Sequence, residues 1–224
     1  ECGGGVYVQG ISDSRKAAFN MKGGSITGNT TTDERADYSS GGGVFVYSNA
    51  TFTMSGGSIT GNNSVRGAGV ALYSSGTMAV SGSVRITGNK QGSNANNLYL
   101  ISGKTITIGT AGLNTDASIG VITAEDPESD SPIQIATGAK SETPDYAKIF
   151  IPDDPYQMGY MITKDGENLN LSTHQHEWTY TQDGDNAIKI TCGANACSLP
   201  ETFSAIYTLN EPANLTYDGS GKPA

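Results

Sequence analysis

Apolar residues in the first half of this chain recur at every second position within short segments, and the segments themselves recur. One phrase reads FNMKGGSITGN from Phe19, FTMSGGSITGN from Phe52 and MAVSGSVRITGN from Met78. A second precedes each copy: GGGVYV from Gly3, GGGVFV from Gly41 and GAGVAL from Gly67. Alternation with a period of two places successive side chains on opposite faces, as in a half-buried strand, and no window carries the i, i+3, i+4 recurrence of an amphipathic helix. Aligned, the copies form columns. Val6/Val8, Val44/Val46, Val70/Leu72 and Leu98/Leu100 make the first. Phe19/Met21, Phe52/Met54, Met78/Val80 and Ile106/Ile108 make the second, and Ile26, Ile59 and Ile86 the third.

One such unit cannot bury its own inward face. Stacking units at about 4.8 Å buries all of them, placing Val44 over Val6, Phe52 over Phe19 and Ile59 over Ile26. The expected fold is therefore all-β: a right-handed parallel β-helix with three strands per turn over residues 1–172, its rungs looser after about residue 115. Gly23-Gly24, Gly56-Gly57 and Gly82 fall where the second strand bends into the third and positive φ is needed. Asn29, Asn62 and Asn89 close the third strand, where stacked amides can bond along a ladder. Asn29 and Asn62 also spell glycosylation sequons, which a ladder position would turn away from an external enzyme.

Beyond Asn114 the segments ASIGVITA, SPIQIATG and AKIFIP read as closing rungs, and Asp165-Gly166 as a hairpin turn between Tyr160–Ile162 and Leu169–Leu171. Thr173 to Gln175 marks a boundary. Residues 173–224 read as a small β module, with EWTYT and AIKITC as a hairpin and the truncated start of a following repeat. Because the chain opens inside a repeat and closes in mid-phrase, further domains of a longer parent chain are expected as neighbours.

Composition narrows the function. Net charge is −9, with only 16% charged residues and 30 glycines; phosphate binding needs a basic stripe, so nucleic acid is not an expected partner. No apolar run is long enough to span a bilayer. Cleavage of glycosidic bonds needs two carboxylates about 5 to 9 Å apart, yet no Asp or Glu lies between Asp37 and Asp116. An enzyme would have to draw carboxylates from loops, with Asp13, Asp33, Glu34 and Asp37 beside Arg15 or Arg35 as the one candidate cluster.

Three groups of residues carry the remaining chemistry. Asp33, Glu34, Arg35 and Asp37 sit in an insertion between repeats, read as a contact surface or a solvated loop. Tyr7, Phe45 and Tyr99, with Tyr73 nearby, alternate with inward residues and form a strip on which sugar rings can stack, or against which a loop or another module packs. His174, His176, Cys192 and Cys197 spell H-x-H followed by C-x4-C, open to three readings: a structural zinc site, a Cys192–Cys197 disulfide, or free thiols. No cofactor is expected.

GGGVYV paired with FTMSGGSITGN resembles the right-handed parallel β-helix repeats of large surface proteins in Gram-positive gut bacteria. ANLTYDGSGKPA is similar to the opening of Ig-like repeats in the same proteins. The first match covers about half the chain. It implies a secreted or cell-wall-attached, adhesin-like, non-enzymatic protein at the cell surface, with host or microbial glycans or surface proteins as partners. It implies no list of functional residues.

Overall fold

The computed structural model describes residues 4–31, 41–129, 131–140, 144–153, 159–173, 178–182, 187–192 and 203–206. They form two compact units, divided after Thr173. The first is a parallel β-solenoid of about four turns. Its first turn comprises β1 (Val6–Val8), β2 (Ala17–Met21) and β3 (Ser25–Thr27). The second comprises β4 (Val44–Val46), β5 (Ala50–Met54) and β6 (Gly57–Thr60), and the third β7 (Val70–Leu72), β8 (Thr77–Gly82) and β9 (Val84–Ile86). A short hairpin, β10 (Lys90–Gln91) and β11 (Asn94–Ala95), then interrupts the repeat. The coil resumes with β12 (Leu98–Leu100), β13 (Ile106–Leu113), β14 (Ser118–Thr123) and β15 (Ile133–Thr137). The unit ends with the helical turn α1 (Tyr146–Ile149) and strands β16 (Phe150–Pro152), β17 (Met161–Asp165) and β18 (Asn168–Ser172).

The expected columns are present in register. Val6 pairs with Val44, Val44 with Val70, Val70 with Leu98 and Leu98 with Val121. Phe19 lies beside Phe52 with ring centroids 5.3 Å apart, and Met78 follows on the other side of Phe52. The third column runs Ile26, Ile59, Ile86, Ile119 and Phe150. Val44, Phe52 and Ile59 are fully buried, each such side chain stabilising the fold by about 1.5–3 kcal/mol. Val6, Phe19 and Ile26 in the first turn are only partly covered. The bends between second and third strands use left-handed glycines as expected, at Gly24 (φ 82°), Gly57 (φ 91°) and Gly82 (φ 68°).

Two departures shape the last turns. First, β14 serves two walls. Ser118 and Ile119 stack on β9, whereas Val121 to Thr123 stack on β12, with Gly120 between them. Second, the segment AKIFIP is not a full rung. Asp145 caps a helical turn by accepting from the Ala147 N–H at 3.1 Å, and the strand begins only at Phe150. The Asp165-Gly166 hairpin forms as expected, and β18 joins β15 antiparallel, so the parallel stack of that wall ends there.

In the second unit β19 (Trp178–Gln182), β20 (Ala187–Cys192) and β21 (Phe203–Ile206) make an antiparallel sheet.

Candidate functional site

The corner between third and first strands is held by a ladder of amides, and its far end leads to a cavity. The Asn29 backbone N–H and Nδ2 both donate to Oδ1 of Asn62, at 3.0 and 2.9 Å. Asn62 donates in the same way to Asn89 (3.1 and 2.9 Å), and Asn89 to Asn97 (2.9 and 2.9 Å). Asn62, Asn89 and Asn97 are buried. The glycines opening each first strand make room for them: a Cβ on Gly5, Gly43 or Gly69 would lie 2.9, 3.1 or 2.7 Å from Nδ2 of Asn29, Asn62 or Asn89. This explains the last glycine of each GGG or GAG triplet, a coupling the sequence reading did not make.

The ladder ends on a carboxylate. The Asn97 N–H donates to Oδ2 of Asp153 at 2.6 Å, and Asn97 Nδ2 to Oδ1 at 2.8 Å. Gly120 gives this pair its space, since a Cβ there would collide with both Asn97 Nδ2 and Asp153 Oδ1. Asp153 is 6% exposed. Burial lifts its carboxyl from the ordinary 3.8 to about 6, against the pull of the two Asn97 donors.

Asp153 lines a cavity of about 560 Å³. The β10–β11 hairpin contributes Gln91 and Asn94 to its wall, the end of β14 contributes Ile122 and Ala124, and Asp126, Tyr160 and Leu171 complete the part that matters chemically. Tyr160 and Leu171 are buried; Gln91, Asn94, Ala124 and Asp126 are exposed. None of these residues was a sequence-level candidate. Asp153 lies in a Pro-Asp-Asp-Pro stretch outside the repeat, 56 residues from Asn97, and no spacing signals their contact.

A second feature lies on the outer face of the first strands. Tyr7, Phe45, Ala71 and Tyr99 succeed one another in register. Tyr73 sits between Phe45 and Tyr99, edge-on to the first at 5.4 Å and stacked on the second at 5.8 Å. Tyr7 and Tyr47 flank Phe45 at 5.5 and 5.6 Å. Phe45 is only 1% exposed, so it supports its neighbours and offers no open ring face itself. Tyr7 is 40% exposed and its hydroxyl donates to Gln9; Tyr47, Tyr73 and Tyr99 are half-buried. Burial pushes the Tyr99 phenol up to about 12, with the Tyr73 phenol adding to the effect and Arg66 opposing it. The Tyr73 hydroxyl is out of contact with solvent and, among the described residues, makes no hydrogen bond of good geometry.

Of the other sequence candidates, Asp33, Glu34, Arg35, Asp37, His174, His176 and Cys197 lie outside the described residues. Cys192 is described only as the last position of β20. Asp13 and Arg15 occupy an exposed tight turn closed by the Arg15 N–H on the Ser12 carbonyl at 2.9 Å. Among the described residues no group of three His, Cys, Asp or Glu side chains converges to hold a metal ion, and no helix is long and apolar enough to cross a membrane. Comparison of the chain with protein-family models, with characterised proteins and with solved structures found no match.

Proposed function

We propose that this chain is a display scaffold: a non-enzymatic segment of a secreted or cell-wall-attached bacterial surface protein that holds binding surfaces for glycan or protein ligands on a β-solenoid. The second unit is read as a spacer toward Ig-like repeats of the parent chain. One observation carries the reading. The outer face of the first strands bears a run of aromatic rings, Tyr7, Phe45, Tyr47, Tyr73 and Tyr99, that the interior columns do not need. Phe45 is the buried support of this run, and the rings that keep exposure, Tyr7, Tyr47, Tyr73 and Tyr99, suit stacking on sugar rings or on aromatic side chains of a partner.

The test is binding of the intact protein to a glycan array and to immobilised mucin, with Tyr99→Ala alongside. Retention by the intact protein and at least tenfold weaker retention of Tyr99→Ala are expected. An intact protein that ignores both surfaces supports, as far as glycan ligands go, a ligand-free stalk instead.

A carbohydrate-active enzyme is the second reading, favoured by the presence of Asp126 and Asp153 in one cavity. Inverting and retaining mechanisms both use two carboxyl groups flanking the scissile bond. Release of reducing ends from a polysaccharide panel, lost in Asp126→Asn, would decide for it.

A further inference from the structure

We infer that the cavity between the β10–β11 hairpin, the end of β14 and Asp153 is a binding site for a saccharide carrying no acidic group. This goes beyond the display reading and does not depend on the aromatic row.

The argument begins with the residue type at the end of the ladder. At three successive levels an Asn side chain accepts two N–H donors from the turn before it through a single Oδ1. Asp153 accepts the same two donors from Asn97, one on each oxygen. An Asn at 153, turned so that its Oδ1 takes both donors as in Asn62, Asn89 and Asn97, would meet this demand without a buried charge, its Nδ2 left to face the cavity. The two Asn97 donors therefore do not by themselves require a carboxylate, and burying a charged group is costly. A costly group where an uncharged one could end the ladder, placed at a cavity wall, points to a ligand.

The cavity fits one. Its volume of about 560 Å³ lies within the range of small-molecule sites, roughly 300–1,000 Å³. Leu171, Tyr160 and Ile122 supply apolar surface; Gln91 and Asn94 bring amides from the hairpin; Asp126 and Asp153 bring carboxylates. A carboxylate has about four acceptor positions, of which Asn97 fills two, leaving Asp153 able to accept from hydroxyl groups in charge-assisted bonds. Among the described lining residues there is no Lys or Arg, so an acidic ligand would meet two carboxylates and no countercharge. A sugar ring has an apolar C–H face for the first group of residues and a rim of hydroxyls for the others.

Calorimetric titration with lactose, maltose and cellobiose, with the amine-bearing chitosan disaccharide, and with digalacturonate tests this. Saturable one-site binding of at least one non-acidic disaccharide is expected, with digalacturonate at least tenfold weaker. Asp153→Asn should weaken binding at least tenfold while keeping the thermal midpoint at pH 7 at or above that of the parent protein. Ala124→Trp, which narrows the mouth from an exposed position, should abolish binding. The inference is overturned by any of four results: no non-acidic disaccharide binds the intact protein; digalacturonate binds as well as they do; Asp153→Asn binds like the parent; or binding survives Ala124→Trp. Loss of the disaccharide in Tyr99→Ala with retention in Ala124→Trp would assign it to the aromatic row and leave the display reading standing.

Discussion

At the scale of the residue, Asp153 is the position where burial and charge pull in different directions. Its folded pKa of about 6 lies above the ordinary 3.8, chiefly through burial. The folded state therefore holds a proton that the unfolded chain releases over this interval. Protonation stabilises the fold fully below about pH 4, and that contribution disappears as the pH rises through about 6. The difference is on the order of 3 kcal/mol. Asp126 is the other carboxylate lining the same cavity among the described residues. Urea unfolding of the parent and of Asp153→Asn should give similar stabilities near pH 4 and a more stable Asn variant at pH 7. A parent whose stability relative to Asp153→Asn does not fall between those two pH values would contradict this reading of the ladder's end.

At the scale of the element, close packing at corners decides which glycines matter. Gly120 sits in the middle of β14, where a methyl group would strike the Asn97–Asp153 pair; Gly23, with ordinary φ, has nothing within 4 Å of a built Cβ. Gly120→Ala should cost about 1–3 kcal/mol, as overpacking does, whereas Gly23→Ala should be neutral or slightly stabilising through the unfolded chain. Chemical denaturation of the two single variants checks both. The contrast also marks how far pattern reading reaches. The columns through Val44, Phe52 and Ile59, the glycine bends, the Asn29–Asn62–Asn89 ladder and the Asp165-Gly166 hairpin are all legible, because each follows from a period of two or from recurrence at repeat spacing. Phe45 reads as outward and is outward, yet it is covered by Tyr7, Tyr47 and Tyr73, two of which lie just past strand ends where alternation stops. The helical turn at Tyr146–Ile149 overrides an alternating AKIF segment through a local cap from Asp145. The Asn97–Asp153 contact has no periodic signature, so the cavity was invisible until the fold brought its walls together.

At the scale of the whole solenoid, stability is approximately a sum of turn and neighbour contributions, and the ladder couples neighbours. Asn89 donates to Asn97, to the Ile59 carbonyl at 2.8 Å and to the Thr87 carbonyl at 3.2 Å, and accepts two bonds from Asn62. Asn89→Ala leaves several of these partners buried and unpaired, at about 1–3 kcal/mol each. A loss of about 3 kcal/mol or more is expected in urea unfolding. Hydrogen exchange should show faster opening on both sides of the missing rung, in β6 as well as β12. Loosening confined to the loop after β9 would show that the ladder decorates the corner without joining its turns.

The ladder has one further consequence. Every Asn in it gives two bonds forward and, from Asn62 onward, receives two from behind, so an interior turn is interchangeable with its neighbours. Copying residues 41–66 once and splicing the duplicate in tandem would add a rung that fits above and below without altering either end. Each copy would lengthen the rod by about 4.8 Å and leave the cavity beside Asp153 as it was. The length of the solenoid and its cavity are thus separately adjustable, with the number of turns acting as a ruler.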